Sequence, residues 1–321
     1  MTVGSIFWAL SLPRCAPIWS TGAWQRESTL KKHLSISFPY NVSSDLPKRL
    51  WQTWKTSPGE EEFDAGFRPA TASWKALNPA FQHEVVKDGA AASLIHRLLV
   101  GVPDVSKAYD ALPNPVLKAD FFRYLILLAR GGVYSDIDTT ALKSVSRWVP
   151  AELEPFGLGV GIEADPDRPD WHDWYARRIQ FCQWTIMSKP GHPVLIDIVA
   201  SITEKTLRRQ ARNELKLESM ETVMEFTGPG IWTDTIFTYL NIPQLLDHST
   251  PSNPSTITWH LFTSLREPIK VSDVVILPIT CSSPGVGHMG SGSLGDRLAL
   301  VSHGFSGNIL RAAFTWKWKS C

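Results

Sequence analysis

Cysteine is scarce in this sequence: Cys15, Cys182, Cys281 and Cys321 are spread over 321 residues. No two stand at the short spacing of a metal knuckle, which excludes a zinc ribbon or finger; disulfides are permitted but not demanded. An excess of one charge is also missing. Thirty-two Lys and Arg face thirty-one Asp and Glu, for a formal net charge of +1. The basic pairs Lys31-Lys32, Lys48-Arg49, Arg177-Arg178 and Arg208-Arg209 are scattered rather than gathered in a stripe, which argues against a nucleic-acid partner. No internal repeat is present, so a solenoid is excluded. At the N-terminus the apolar run Val3 to Leu12 falls short of the roughly 20 residues that span a bilayer. It has the length of a signal-peptide core, with no charge before it and Pro13, Arg14 and Pro17 after it. It reads as a weak signal or membrane anchor, or as an uncleaved tail.

What is present is an ordinary globular balance, 43% hydrophobic and 20% charged, over a length sufficient for one large α/β domain or two small ones. Fourteen tryptophans are many. Each offers a flat apolar face and one N–H, suited to core packing and to stacking on sugars or bases. Residues 1–46, rich in Ser, Thr and Pro, read as a leader or stem, and 47–321 as the working domain. Asn41-Val42-Ser43 fits the N-glycosylation pattern, which matters only in the secretory pathway.

Patterning predicts strands at Leu50–Trp54, Phe81–Val86, Val133–Asp138, Phe156–Ile162 and Val274–Pro278. Helices are predicted at Ala70–Leu77, Ala90–Leu99, Pro115–Arg130, Pro193–Gln210, Met220–Phe226 and Ile231–Leu240. Phe181–Met187 is a buried strand or a short helix. Gly285–Gly295, with five glycines, reads as a flexible loop. The clearest helix carries Val116, Phe121, Tyr124, Leu125 and Leu128 at helical spacing and stops at Gly131-Gly132.

The chemistry concentrates around that helix and the segment after it. Asp120 and Arg123, three apart on a helix, share a face. Aspartate accepts from sugar hydroxyls, and arginine offers a fork suited to phosphate; the plainer reading is a surface salt bridge. Asp136 and Asp138, two apart on a strand, point the same way, and two hard oxygen ligands suit Mg²⁺ or Mn²⁺. Such an ion would bridge the diphosphate of a nucleotide sugar and neutralise it as it leaves. A two-metal phosphohydrolase would want further carboxylates or histidines nearby, and none is evident.

The segment KADFFRY, followed after six residues by GGVYSDID, resembles the nucleotide-sugar-binding region of glycosyltransferase family 32, in particular its fungal initiation-specific α-1,6-mannosyltransferase branch. PKRLWQTWK at 47–55 is similar to the family's opening strand. GIEAD at 161–165 and WYARRIQFCQWTI at 174–186 are similar to its middle block, and TGPGIWTD at 227–234 to its later one. The likeness runs from about 47 to 310. It implies a GT-A fold, that is, an open mixed α/β sheet flanked by helices. It further implies a GDP-mannose donor, Mn²⁺ (or Mg²⁺), retention of configuration by front-side attack, and a glycan or glycolipid acceptor. A Golgi-lumen location, as a type II membrane or other secretory-pathway protein, is implied with it.

Carried onto this chain, the resemblance puts Asp138, Asp136 and His303 at the metal. Trp54, Asp120, Arg123, Tyr134, Asp136, Glu163 and Gly230 are placed around the donor. Asp136, Asp138 and Asp234 are the catalytic carboxylates, with Asp234 or Glu163 orienting the acceptor. Three of these keep a structural alternative: Trp54 as core, His303 as a structural histidine, and Asp234 as a helix N-cap. The chain departs from the family at Gly307-Asn308-Ile309, where a Gly-Ser-Trp ending is usual. Alternative activities within the same reading are mannosylation of a sphingolipid head group, use of a UDP-hexose, or sugar-nucleotide binding without catalysis.

Overall fold

The structure is a computed structural model. It describes residues 29–304 apart from 167, 217–219, 243–244 and 246–255, and apart from the side chains of 220–222. The apolar run at Val3–Leu12 and the altered ending at 307–309 lie outside these residues. No helix among the described residues is long and apolar enough to cross a membrane.

Nine strands and nine helices follow one another among the described residues: α1 Thr29–Ser37, β1 Arg49–Trp54, α2 Arg68–Leu77, β2 Gln82–Lys87, α3 Asp88–Leu98, α4 Pro103–Ala111, α5 Pro115–Arg130, β3 Gly132–Ser135, β4 Thr139–Ala141, β5 Leu158–Ala164, β6 Gln180–Ser188, α6 Pro193–Ala211, α7 Met220–Phe226, α8 Pro229–Leu240, β7 Ile269–Val271, β8 Val274–Leu277, α9 Ile279–Ser282 and β9 Val301–His303. Seven strands form one open sheet in the order β2-β1-β3-β6-β5-β8-β7, while β4 and β9 pair separately. β1 runs parallel to β2 and β3, and β5 runs parallel to β8. β6 lies antiparallel between β3 and β5. β1, β2, β3, β5 and β8 therefore all point their carboxyl ends to one edge, where open α/β sheets place ligands. This is the open mixed sheet flanked by helices that the resemblance implies.

Strand alternation sorts side chains between two cores. Trp51, Tyr134, Val160 and Ile186 face the layer of α3 to α6 and α8. Leu50, Val133, Met187 and Val275 face α2, α9 and the small sheet. The central helix, α5, starts with Pro115 in its first turn under an Asn114 side chain that accepts from Val116 N at 2.9 Å. Residues 120 to 128 of α5 are all buried. It ends at Gly131 (φ 62°) and Gly132 (φ 98°), where a Cβ on Gly132 would meet Arg49 O at 2.5 Å. Only glycine lets β3 start this close to β1.

Several elements differ from expectation. Phe181–Met187 resolves to strand. Pairing on both sides with β3 and β5 decides it. α4 went unpredicted, as did the three-residue strands β4, β7 and β9, in which three residues are too few for alternation to register. The glycine-rich loop is pinned: Gly285 N donates to Gly292 O (2.8 Å), Gly292 N to Thr280 Oγ1 (2.9 Å), and Arg266 Nη1 to Gly290 O (3.1 Å). Residues 29–46, which read as stem, pack on the domain. Leu34 is fully buried, Lys31 pairs with Asp197 of α6 at 2.8 Å, and the Tyr40 hydroxyl donates to Asp273.

Candidate active site

Asp136 and Asp138 do not sit on a strand as expected. β3 ends at Ser135, and the two aspartates occupy the turn that leads into β4. Asp136 N still extends the ladder, donating to Trp184 O at 2.8 Å. Thr139 then folds back on Asp136 O through its N–H (3.2 Å) and its hydroxyl (2.5 Å). The turn, rather than the pleat, brings the two carboxylates to one side. β9 pairs with β4 in the register Thr139↔His303, which carries His303 to the same point from far along the chain. One ligand atom from each of Asp136, Asp138 and His303 lies within 4.8 Å of the others, and His303 Nε2 stands 3.4 Å from Asp138 Oδ1. Two carboxylate oxygens and one imidazole form a donor set that fits a divalent ion such as Mn²⁺ or Mg²⁺. His303 also packs its ring against Trp184 at 4.6 Å. Burial holds its pKa below the ordinary value, against the pull of Asp138 and Asp136.

Asp136 is held from behind. Arg123 Nη2 (3.1 Å) and the Tyr134 hydroxyl (2.9 Å) both donate to Oδ1. The Gln52 amide donates to Asp136 O at 3.0 Å, and its own oxygen pairs with His83 Nε2 at 2.9 Å. Arg123 also pairs with Asp120 Oδ1 at 3.0 Å. Asp120 Oδ2 accepts from Thr227 Oγ1 at 2.8 Å. Asp120 and Arg123 are thus no surface salt bridge, since their side chains are each only 5% exposed. Burial raises the pKa of both Asp120 and Asp136, and Arg123 opposes the rise. Burial works against the charge on Arg123, but Asp136 and Asp120 outweigh it and hold the guanidinium firmly protonated.

The remaining expected residues divide. Trp54, at the carboxyl end of β1, is half-buried and edge-on to Phe67 at 4.9 Å, so it is not core. Its neighbour Thr53 bonds the Tyr134 hydroxyl at 3.2 Å, which places that strand end beside the site. Glu163, near the end of β5, accepts from Gln180 Nε2 at 3.0 Å. Burial pushes its pKa up to about 7, with Gln180 and Trp184 opposing. Asp234 is not an N-cap. Gly228 caps α8, and Asp234 lies in the helix, gripped by Arg177 through Nε (2.7 Å) and Nη2 (2.5 Å). None of these bonds reaches the metal-type group. Gly230 lies in the first turn of α8, where a Cβ would stand 3.0 Å from Met224 O and 3.1 Å from the Glu225 carboxylate, close packing that favours a glycine there.

Sequence reasoning missed Gln52, His83, Thr227 and Trp184. The signal for Gln52 was a lone amide inside an aromatic strand. The others are brought in by tertiary contact and carry no local mark.

Paired aspartates and a histidine at the carboxyl edge of a mixed sheet make up the site class of DXD glycosyltransferases. Residues 65–154 match the model of the glycosyltransferase sugar-binding region containing the DXD motif. The chain is 48% identical over 296 residues to an initiation-specific alpha-1,6-mannosyltransferase of Candida albicans, covering 88% of this chain and 77% of that one. It is 48% identical over 282 residues to the protein of the same name from Schizosaccharomyces pombe, covering 87% and 67%. To its namesake in Saccharomyces cerevisiae it is 33% identical, covering 87% and 81%. The chain belongs to this glycosyltransferase family.

Proposed function

We propose that the chain transfers mannose from GDP-mannose to a glycan acceptor with retention of configuration, forming an α-1,6 linkage, in the secretory pathway and there in the Golgi lumen. The convergence of Asp136, Asp138 and His303 at the carboxyl edge carries this reading, and the names of the 48%-identical relatives support its transferred sugar and linkage. Those three residues would hold Mn²⁺, which when bound supplies Lewis-acid neutralisation of the departing diphosphate. Arg123 and Tyr134 both bond Oδ1 of Asp136, which fixes the carboxylate and leaves Oδ2 for the ion. Arg123 adds positive charge beneath the leaving group. Trp54, beside this group at the end of β1, would receive the nucleobase.

In the step itself the acceptor oxygen bonds the anomeric carbon on the face the diphosphate leaves. The carbon–oxygen bond to phosphate breaks with its electron pair going to the phosphate, and the hydroxyl proton passes to that oxygen. With Asp234 engaged by Arg177, orientation of the acceptor falls to Glu163.

The test incubates the full chain with Mn²⁺ and a panel of GDP- and UDP-sugars and follows nucleotide release, with Asp138→Asn as control. Metal-dependent release of GDP from GDP-mannose, reduced at least about a hundredfold in Asp138→Asn, is expected. Release from a UDP-sugar alone would overturn the donor, and metal-independent release would overturn the site.

A further inference from the structure

Between β5 and β6 the chain carries aromatic side chains that the reaction above does not use. Trp171, Trp174 and Tyr175 are each half-buried. The order β2-β1-β3-β6-β5 sets β1 and β5 on opposite flanks of β3. Trp54 therefore stands on one side of the Asp136–Asp138–His303 group, and the 168–178 stretch stands on the other.

Both roots of this stretch are fixed. Gln180 accepts from Ala176 N at 3.1 Å and donates to Glu163 at 3.0 Å. Arg178 donates to Asp165 at 2.9 Å, and Asp165 in turn accepts from Thr263 Oγ1 (2.8 Å) and Ser264 N (2.6 Å). The Tyr175 phenol lies near enough to Glu163 to feel its charge, which adds to burial in raising the phenol's pKa. Arg168 stacks on Trp174 at 4.7 Å and is held there by Asp170.

Flat rings bordered by Arg168, Asp170 and Asp173 suit one ligand chemistry. A pyranose lays its C–H face on an aromatic ring and turns its hydroxyls to polar groups at the rim. A lipid tail would want a continuous apolar patch free of these charges.

We propose that Trp171, Trp174 and Tyr175 form the acceptor subsite, which takes an oligosaccharide of more than one ring and presents its attacking hydroxyl past Glu163. The assignment rests on the transferase reading above.

The experiment compares the full-length wild type with Trp171→Ala, Trp174→Ala and Trp171→Phe, each checked for an unchanged thermal midpoint. Two rates are read: GDP release from GDP-mannose in the absence of acceptor, and transfer to α-linked mannopentaose. Each alanine variant is expected to raise the acceptor KM about tenfold while leaving donor KM and acceptor-free release within about twofold. Trp171→Phe keeps most of the affinity. An unchanged acceptor KM in both alanine variants overturns the subsite. So does a parallel loss of both rates that Trp171→Phe fails to restore, which marks a structural role. A wild type that releases no GDP at all overturns the transferase reading itself, and the subsite falls with it.

Discussion

Glu163 is a carboxylate whose setting changes its chemistry. Its pKa stands at about 7 against an ordinary 4.5, because burial penalises the charged form more than Gln180 and Trp184 relieve it. The folded chain therefore holds this proton more tightly than the unfolded chain does. Between pH 4.5 and 7 its loss costs stability, and the cost is complete above pH 7. Glu163→Gln carries no charge at any pH. The variant is expected to gain about 2–3 kcal/mol on the metal-free wild type as pH rises through that window. Thermal unfolding of both proteins in a pH series measures it, and a constant difference would show that the carboxyl titrates normally. Arg123 poses the opposite case. It is a buried cation kept charged by carboxylates on two sides, Asp120 from its own helix and Asp136 from the turn after β3.

At the scale of elements, the α5–β3 junction decides where the site stands. Gly131 and Gly132 both adopt positive φ, and a Cβ on the second would run into Arg49 O. A methyl group at 132 would be strained by its backbone and would also push β3 off β1. Gly132→Ala is expected to cost about 2–4 kcal/mol, read as a fall in denaturant midpoint. Any surviving activity should fall with it, because Asp136 follows β3 by one residue. A variant of wild-type stability would show that the strand start has slack. Helix α5, β3 and the Gly-Gly stop were legible from the sequence, since a long periodic run ended by two glycines has few other foldings. The place of Asp136 and Asp138 in a turn was not legible, since Asp-x-Asp fits a strand end and a turn equally.

At the scale of the molecule, the segment ahead of the first sheet strand is part of the packing. Leu34 is buried to 0% exposure among the helices, and Tyr40 and Tyr239 both donate to Asp273 beside the fully buried His192. A chain beginning at residue 47 should lose about 3–5 kcal/mol or more against one beginning at residue 29, as it gives up a core leucine and the Tyr40–Asp273 bond. Equal midpoints for the two truncations would make 29–46 a stem after all.

The sequence by itself determined the α/β class, the sites of the long helices and the identity of the Asp136–Asp138 pair. Local periodicity, glycine stops and a closely spaced motif are all written in neighbouring residues. The tertiary structure alone decided what those residues meet. It brought His303 to the aspartates through a three-residue strand. It turned Asp120 and Arg123 from an ordinary surface pair into a buried support, and it gave Asp234 to Arg177. These outcomes depend on contacts with residues far away in the chain, among them Thr227 on Asp120, which no short window of sequence brings together.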